Sequence, residues 1–162
     1  MIAKFKKNLV LSVVAATAIV GGASSALAGI TTPAYVFNDN LKQSGNYAWL
    51  GDATPQYNCL AYALGNYSNW VWPWGSNNPS NSQVDTYLSN QGYKKSAAMN
   101  STDVAAYEII SYGTSDSSIT HFARVAAYGY SNAKWGQLEL LQHDGWDPYK
   151  SNGSYGDARR KY

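Results

Sequence analysis

The sequence contains little cysteine, histidine or charge, and each shortage excludes a class of protein. Its 162 residues include one cysteine, Cys59, and two histidines, His121 and His143. A lone cysteine cannot form a disulfide within the chain, which excludes a disulfide-rich secreted scaffold. Only 14% of the residues are charged, with 12 Lys and Arg against 10 Asp and Glu. This balance argues against binding to nucleic acid through phosphate contacts.

Long apolar runs are also scarce, and the one present lies at the amino terminus. Three lysines precede a small, apolar stretch over 9–28, which ends in Ala-Leu-Ala before Gly29. This pattern is typical of a secretory signal peptide, so we predict a signal peptide over 1–28 and one exported domain over 29–162. An uncleaved anchor helix is the alternative, and the Gly-Gly and Ser-Ser pairs in the run disfavour it. No later run is long enough to span a membrane, so we expect no stable insertion after processing.

Aromatic residues are the feature in excess. All six Trp and all 14 Tyr follow residue 28, among many Asn, Ser and Gly. The first 28 residues hold three basic and no acidic side chains, so the exported part has a net charge near −1. Disordered segments are poor in aromatic residues, so we expect this part to fold. Tyr and Trp combine an apolar ring with a polar group, which suits surfaces that bind carbohydrate or peptide.

Two helices are expected in the first half of the exported chain. Turn-forming residues dominate 29–56, which we read as an irregular lead-in. Asn58 is a suitable N-cap and a glycine follows seven residues later, so a short helix is predicted over 58–65. A second helix is predicted over 83–90, where apolar side chains recur at i, i+3 and i+4 after Ser and Asn residues able to cap it.

The second half of the chain predicts strands. Residues 106–112, 119–130 and 135–143 are rich in β-forming residues and are separated by turn signals. Residues 101–106 form either a helical turn or a coil, and the pattern does not decide between them. The basic run at 159–161 is read as a solvated tail.

The position of the single cysteine in the sequence predicts a catalytic nucleophile. Cys59 begins the first predicted helix, where exposed N–H groups favour the thiolate, the attacking form. His121 opens or nearly opens a later strand and is placed to act as the base that the thiol needs. His143 ends the following strand, where a polar group can fix the tautomer of the base. An inert buried thiol and an intermolecular disulfide are the alternatives for Cys59.

A metal site would be a competing use of the same residue types. Zinc prefers four ligands, usually supplied as closely spaced pairs. Here one Cys and two His are widely separated and no Cys-x-x-Cys is present. We therefore expect neither a metal nor another cofactor.

A helix-borne cysteine followed by a strand-borne histidine resembles the papain-like fold, and more narrowly the bacterial NlpC/P60 and CHAP-type cysteine peptidases and amidases. Asn-Cys-Leu-Ala at 58–61, Trp-Pro-Trp at 72–74 and Thr-His-Phe-Ala-Arg at 120–124 look closer still to a group of bacterial domains. That group shares Asn-Cys-(Ile/Leu)-Ala, Trp-Pro and Thr-His-x-Ala-Arg elements, with a later His and Tyr-Gly. The resemblance covers about 47–156 and implies an α+β fold with short N-terminal helices packed on an antiparallel sheet.

The resemblance also implies roles for individual residues. Cys59 matches the nucleophile and His121 the base. The third member is His143 by order along the chain, with Glu139 and Gln137 as alternatives nearer to the strand-partner position of NlpC/P60 domains. This chain has Asn-Cys-Leu-Ala where those domains have Asp-Cys-Ser-Gly.

Further residues are candidates for the oxyanion site and the substrate groove. Gln56 or Tyr57 is placed just before the nucleophile, where it could hold an oxyanion together with the backbone N–H of Cys59. The tryptophan loop supplies rings for a groove wall, with a core-closing aromatic cluster as the alternative. Its members are Trp70, Trp72 and Trp74.

The function expected from these residues is a secreted bacterial cysteine hydrolase that cleaves peptide or amide bonds, with cell-wall peptides as the substrate class. The expected partner is a peptide or peptidoglycan-type substrate, and the expected state is a monomer. A non-catalytic, aromatic-rich module that binds cell wall or glycan is the first alternative. A secreted toxin-like effector that uses the same Cys-His pair is the second.

Overall fold

The computed structural model describes residues 29–96, 109–126 and 129–162, which form an α+β fold. The predicted signal peptide and the undecided segment 101–106 lie outside these ranges. The described elements are α1 (Ala34–Asn38), β1 (Ala48–Gly51), α2 (Cys59–Ala63), α3 (Asn81–Asn90), β2 (Ile109–Ser115), β3 (Ser118–Val125), β4 (Tyr130–Lys134), β5 (Leu140–Asp144) and β6 (Asp157–Lys161).

The strands form one antiparallel sheet in the order β1-β5-β4-β3-β2-β6. Tyr112 of β2 lies opposite His121 of β3, and Ser131 of β4 lies opposite His143 of β5. The two histidines therefore sit on strands that are separated by β4.

Capping signals explain α2 and α3, as predicted. Asn58 accepts a hydrogen bond from the backbone N–H of Ala61 at 3.0 Å, and Gly65, at a φ of 74°, turns the chain after α2. Ser80 caps α3 and forms a complete capping box with Gln83. In the part of the chain that the structure describes, no helix is long and apolar enough to cross a membrane.

The predicted lead-in over 29–56 is more regular than expected. It contains α1 and β1, and its apolar residues Phe37 and Leu41 are buried in the core. The sequence does not predict α1 and β1 because turn-forming residues dominate this segment. Its regular structure comes from tertiary packing and from pairing of β1 with β5 rather than from local periodicity.

The strand predictions also change in the second half. The strand expected over 119–130 ends at Val125, and a separate strand, β4, includes the Ser-Asn pair that reads as a breaker. The strand expected over 135–143 is shorter than predicted. Only Leu140–Asp144 forms a strand, β5, because the residues before Leu140 form a turn. The basic run at 159–161 is not a tail but part of β6, an edge strand paired with β2, where charged side chains are common.

Two hydrophobic clusters make up the core, and neighbouring residues of β3 contribute to different ones. The helix cluster joins α2, α3 and Phe122. The aromatic cluster contains Tyr112, Trp135 and Tyr149, and His121 packs its ring against all three. This arrangement places the His121 imidazole inside an aromatic core, while its neighbour in sequence, Phe122, packs in the cluster that contains Cys59.

Candidate functional site

The start of α2 fixes the position of Cys59. The Asn58 side chain not only caps the helix but also binds the tryptophan loop. Its Nδ2 donates a hydrogen bond to the carbonyl oxygen of Val71 at 2.8 Å, and its Oδ1 accepts one from the N–H of Val71 at 3.3 Å. One buried amide therefore joins the first turn of the helix to the loop that carries Trp70 and Trp72.

His121 is fully buried on β3 with one ring nitrogen bonded and the other free. Its Nε2 lies 3.2 Å from the hydroxyl oxygen of Tyr149. Its ring stacks on Tyr155, with centroids 3.9 Å apart and planes inclined by 15°. Among the described residues, Nδ1 has no hydrogen-bond partner. A buried polar atom without a partner is costly in a folded protein, and such atoms are often found where a ligand or a reacting group binds.

Cys59 and His121 line the same cavity, which has a volume of about 340 Å³. No hydrogen bond joins the cysteine sulfur to the His121 ring within the described structure. None of the lining residues carries a formal charge at neutral pH, and two are tryptophans. The lining consists of Asn58, Cys59, Trp70, Trp72, Gly75, Thr120, His121, Gly136 and Tyr155.

Burial sets the protonation states of the pair. It raises the pKa of Cys59 to about 11, although hydrogen bonds from the backbone of Phe122 oppose the shift. Burial, and to a smaller extent the electrostatic effect of His143, lowers the pKa of His121 to about 3. At neutral pH the two groups are a thiol and a neutral imidazole. The expected thiolate is therefore wrong for the resting state, because burial outweighs the N-terminal field of a five-residue helix.

None of the three expected third members is bonded to His121 in the described structure. His143 Nδ1 lies 2.8 Å from the carbonyl oxygen of Asn46, and its Nε2 accepts from the indole N–H of Trp135 at 3.1 Å. Both of its nitrogens are thus occupied. The strand order explains the correction, because β4 rather than β5 is the neighbour of β3.

The other two alternatives point elsewhere. Glu139 accepts hydrogen bonds from Thr31 and Thr32, and Gln137 is exposed in the turn before β5. Neither carboxylate nor amide reaches the base.

Tyr149, rather than any of the expected third members, lies within hydrogen-bond distance of the His121 ring. It is fully buried after β5 and is held by an isolated bridge to Leu41. Its ring lies between the two histidines, 5.2 Å from the His121 centroid and 5.4 Å from the His143 centroid. Sequence reasoning missed it because it lies in a segment of turn-forming residues and tyrosine is not a typical orienting group.

The predicted oxyanion residues lie away from the cavity. Gln56 is exposed, and its backbone N–H donates to the hydroxyl of Thr54 at 3.2 Å. Tyr57 packs edge-on against Tyr67, with ring centroids 5.7 Å apart, and does not line the cavity. The structure therefore does not bring the Gln56 and Tyr57 side chains to the cavity wall, and their oxyanion role stays a prediction.

The tryptophan loop is divided between the two expected uses. Trp70 and Trp72 line the cavity, and the indole N–H of Trp72 donates to the carbonyl oxygen of Asn77 at 3.2 Å. Trp74 does not line it but stacks on Phe122, with centroids 6.3 Å apart and planes inclined by 16°. Trp74 thus closes the helix cluster, which corrects its assignment to the groove.

Lys134 is a buried cation near the site that the sequence did not indicate. Its ammonium donates to the carbonyl oxygens of Thr54 at 2.9 Å and Gly136 at 2.8 Å, and also to that of Leu138. Burial lowers its pKa to about 8, against the opposing effect of Glu139 and Cys59. The side chain therefore ties the segment before Cys59 to the turn that carries Gly136 of the cavity wall.

No group of three or more His, Cys, Asp and Glu side chains in the described ranges is arranged to hold a metal ion. The cavity is lined by one thiol and one imidazole, those of Cys59 and His121.

Comparison with known proteins identifies a family but no activity. Neither the curated proteins nor the solved structures include a match to the chain. One family model matches residues 48–162, described as a domain of unknown function, DUF7689. The match takes in every residue that lines the cavity, together with Tyr149 and Lys134. The chain therefore belongs to the DUF7689 family.

Proposed function

We propose that this protein is an exported cysteine hydrolase that cleaves amide bonds in peptides of the bacterial cell wall. The observation that carries the proposal is a cavity lined by both the Cys59 thiol and the buried His121, whose Nδ1 has no partner among the described residues. The α+β fold with a cysteine at the start of a helix and a histidine on an antiparallel strand supports the resemblance to papain-like amidases.

The proposed reaction begins from the neutral pair. As the substrate carbonyl enters the cavity, Nδ1 of His121 takes the proton from Cys59 while the sulfur attacks the carbonyl carbon. The carbon–nitrogen bond then breaks, and the imidazolium gives its proton to the departing amine. Water hydrolyses the resulting thioester with His121 again as the base, which releases the carboxylic acid and restores the thiol.

Tyr149 serves in this scheme as a positioning residue. Proton uptake at Nδ1 requires the tautomer in which Nε2–H of His121 donates to the hydroxyl oxygen of Tyr149. The stacked ring of Tyr155 limits rotation of the imidazole. Together these contacts take the orienting role that carboxylate or amide side chains have in related triads.

The cavity lining favours an uncharged substrate segment at the point of cleavage. Charged side chains are missing among the lining residues, and the walls are Trp70, Trp72 and Tyr155. Such rings pack on apolar groups and on the flat faces of sugars. The scissile bond is therefore expected beside neutral residues, with any charged groups of the wall peptide further away.

Exposed aromatic rings also support a second candidate, a wall-binding module without catalysis. Trp70 and Tyr67 are each 48% exposed near the start of α2. Sugar binding needs these rings and not the thiol. Wall binding that survives Cys59→Ser but collapses with Trp70→Ala, without any turnover, would favour this candidate.

The proposal is tested by turnover on purified wall peptides and on neutral model peptides. Cys59→Ser preserves size but supplies a much weaker nucleophile, so we expect turnover to fall by about 10³-fold or more. Gln137→Ala is the matched control, because that side chain is exposed on the turn beside the cavity and contacts no candidate catalytic group. Equal turnover by wild type and Cys59→Ser would refute the hydrolase. Cleavage of non-wall proteins in preference to wall peptides would assign the same chemistry to a toxin-like effector.

A further inference from the structure

Glu139 forms a second polar site, which has no role in the proposed reaction. Its side chain is fully buried. One carboxylate oxygen, Oε1, accepts three hydrogen bonds from the amino-terminal segment: the N–H of Thr31 at 2.7 Å, the hydroxyl of Thr31 at 3.0 Å and the N–H of Thr32 at 2.9 Å. The other oxygen, Oε2, is buried and has no partner among the described residues.

This carboxylate is charged at neutral pH. Burial favours its protonated form, but hydrogen bonds from Thr32 and Thr31 prevail and lower the pKa of Glu139 to about 2. A buried, ionised oxygen without a donor is expensive, and its natural complement is a cation or an N–H group.

The described cation that interacts with Glu139, Lys134, already has hydrogen-bond partners. Lys134 interacts electrostatically with Glu139, but its ammonium donates to the carbonyl oxygens of Thr54, Gly136 and Leu138. An ammonium has three N–H donors, so all of them are occupied. Lys134 therefore does not serve Oε2.

The amino-terminal segment brings another nitrogen to the same place. Gly29 is half-buried and stands two residues before Thr31, whose N–H is 2.7 Å from the Glu139 carboxylate. Two residues span at most about 7 Å, so the nitrogen of Gly29 lies no more than about 10 Å from the Glu139 carboxylate. Gly29 is also the residue that follows the predicted cleavage point.

We propose that Glu139 is a binding site for the α-ammonium group of Gly29, which hydrolysis of the Ala28–Gly29 bond creates. Water adds across that peptide bond and yields the Ala28 carboxylate and the Gly29 amine, which is protonated near neutral pH. The ammonium binds Oε2 while Thr31 and Thr32 hold Oε1, so removal of the signal peptide completes a buried ion pair. The inference rests on the predicted cleavage and not on the hydrolase chemistry.

The test uses the full chain, exported and processed by a bacterial host. Intact mass first establishes whether the product begins at Gly29. Acetylation of the folded product with a limiting amine reagent is then followed by peptide mass spectrometry, with Lys42, whose side chain is 43% exposed, as the reference in the same molecule. We expect the Gly29 amine to react at least tenfold more slowly than it does in urea-unfolded protein, and Glu139→Gln to abolish this protection.

A second variant covers the case in which Glu139→Gln does not fold. Insertion of one Ser between Ala28 and Gly29 moves the new amine by one residue and leaves Glu139 intact. We expect this product to lose both the protection of its amine and several degrees of thermal stability. A product that begins elsewhere, an unprotected Gly29 amine, or an insertion variant as stable and as protected as wild type would each overturn the inference.

Discussion

The two histidines of this chain occupy the same aromatic cluster, yet only one has the properties of a reacting group. Both are fully buried, and each lies near Tyr149. His143 has a partner on each nitrogen, whereas His121 bonds through Nε2 and leaves Nδ1 free among the described residues. Burial alone thus does not mark a functional imidazole. In the proposed reaction the distinguishing feature of His121 is its unused nitrogen, since its ring lines a cavity together with a thiol.

The strongest way to break this comparison is to remove the free nitrogen. His121→Gln keeps an amide close to Tyr149 but removes the base. We expect turnover on wall peptides to fall by about 10³-fold while the far-ultraviolet circular dichroism spectrum is unchanged. Residual turnover within tenfold of wild type would show that His121 is not the base.

Removal of the saturated histidine should act on stability instead. His143→Leu leaves the carbonyl oxygen of Asn46 and the indole N–H of Trp135 without their partner. Two buried polar groups lose a hydrogen bond, so we expect the free energy of unfolding in urea to fall by about 2 kcal/mol. Turnover by the folded fraction should stay within threefold of wild type. A loss comparable with that of His121→Gln would give His143 the catalytic role.

The Tyr149 ring lies between the two histidines, and removal of its hydroxyl oxygen tests whether its hydrogen bond orients His121. Tyr149→Phe removes the hydroxyl group that lies 3.2 Å from His121 and keeps the ring contacts of the cluster. We expect kcat to fall about tenfold with little change in KM, because one orienting hydrogen bond is lost. An unchanged kcat, or a change in KM alone, would remove Tyr149 from the mechanism.

The pH dependence of stability tests the protonation states of the two histidines. Burial lowers the pKa of His121 to about 3 and that of His143 to about 4, against about 6.5 in the unfolded chain. Between these values the unfolded state binds more protons, so stability is full above about pH 6.5 and falls as the pH drops towards 4.

Each histidine contributes a slope of up to about 1.4 kcal/mol per pH unit in that window. Urea titrations at pH 7, 6 and 5 measure it. His143→Leu removes one of the two titrating groups, so it should reduce the slope by the contribution of one histidine. A slope that is the same in wild type and variant would show that His143 titrates normally in the folded protein.

The sequence predicted the parts of this molecule that depend on local signals. Asn58 marks the start of α2 and the capping Ser and Asn residues mark the start of α3, and Cys59 and His121 stand out because their residue types are rare in the chain. The rest depends on contacts between distant segments. Tyr149 meets His121 through the packing of a loop, and Lys134 is buried because three backbone carbonyl groups converge on it.

The third-member error has a definite structural source. The Ser-Asn pair at 131–132 reads as a breaker, so the sequence does not reveal β4, and β5 is expected to be the neighbour of β3. Because β4 lies between β3 and β5, the strand that carries His143 is one position further from His121 in the sheet than expected. Spacing along the chain could not reveal this, because strand order is set by pairing rather than by sequence distance.

Formation of a thioester on Cys59 tests the central claim most directly. Incubation of the folded protein with a neutral wall peptide, rapid acid quenching and intact-mass measurement should reveal an adduct with the mass of the acyl fragment. Peptide mapping should place it on Cys59, and neither Cys59→Ser nor His121→Gln should accumulate it. Release of product with no adduct on Cys59, or equal adduct formation in His121→Gln, would contradict the account.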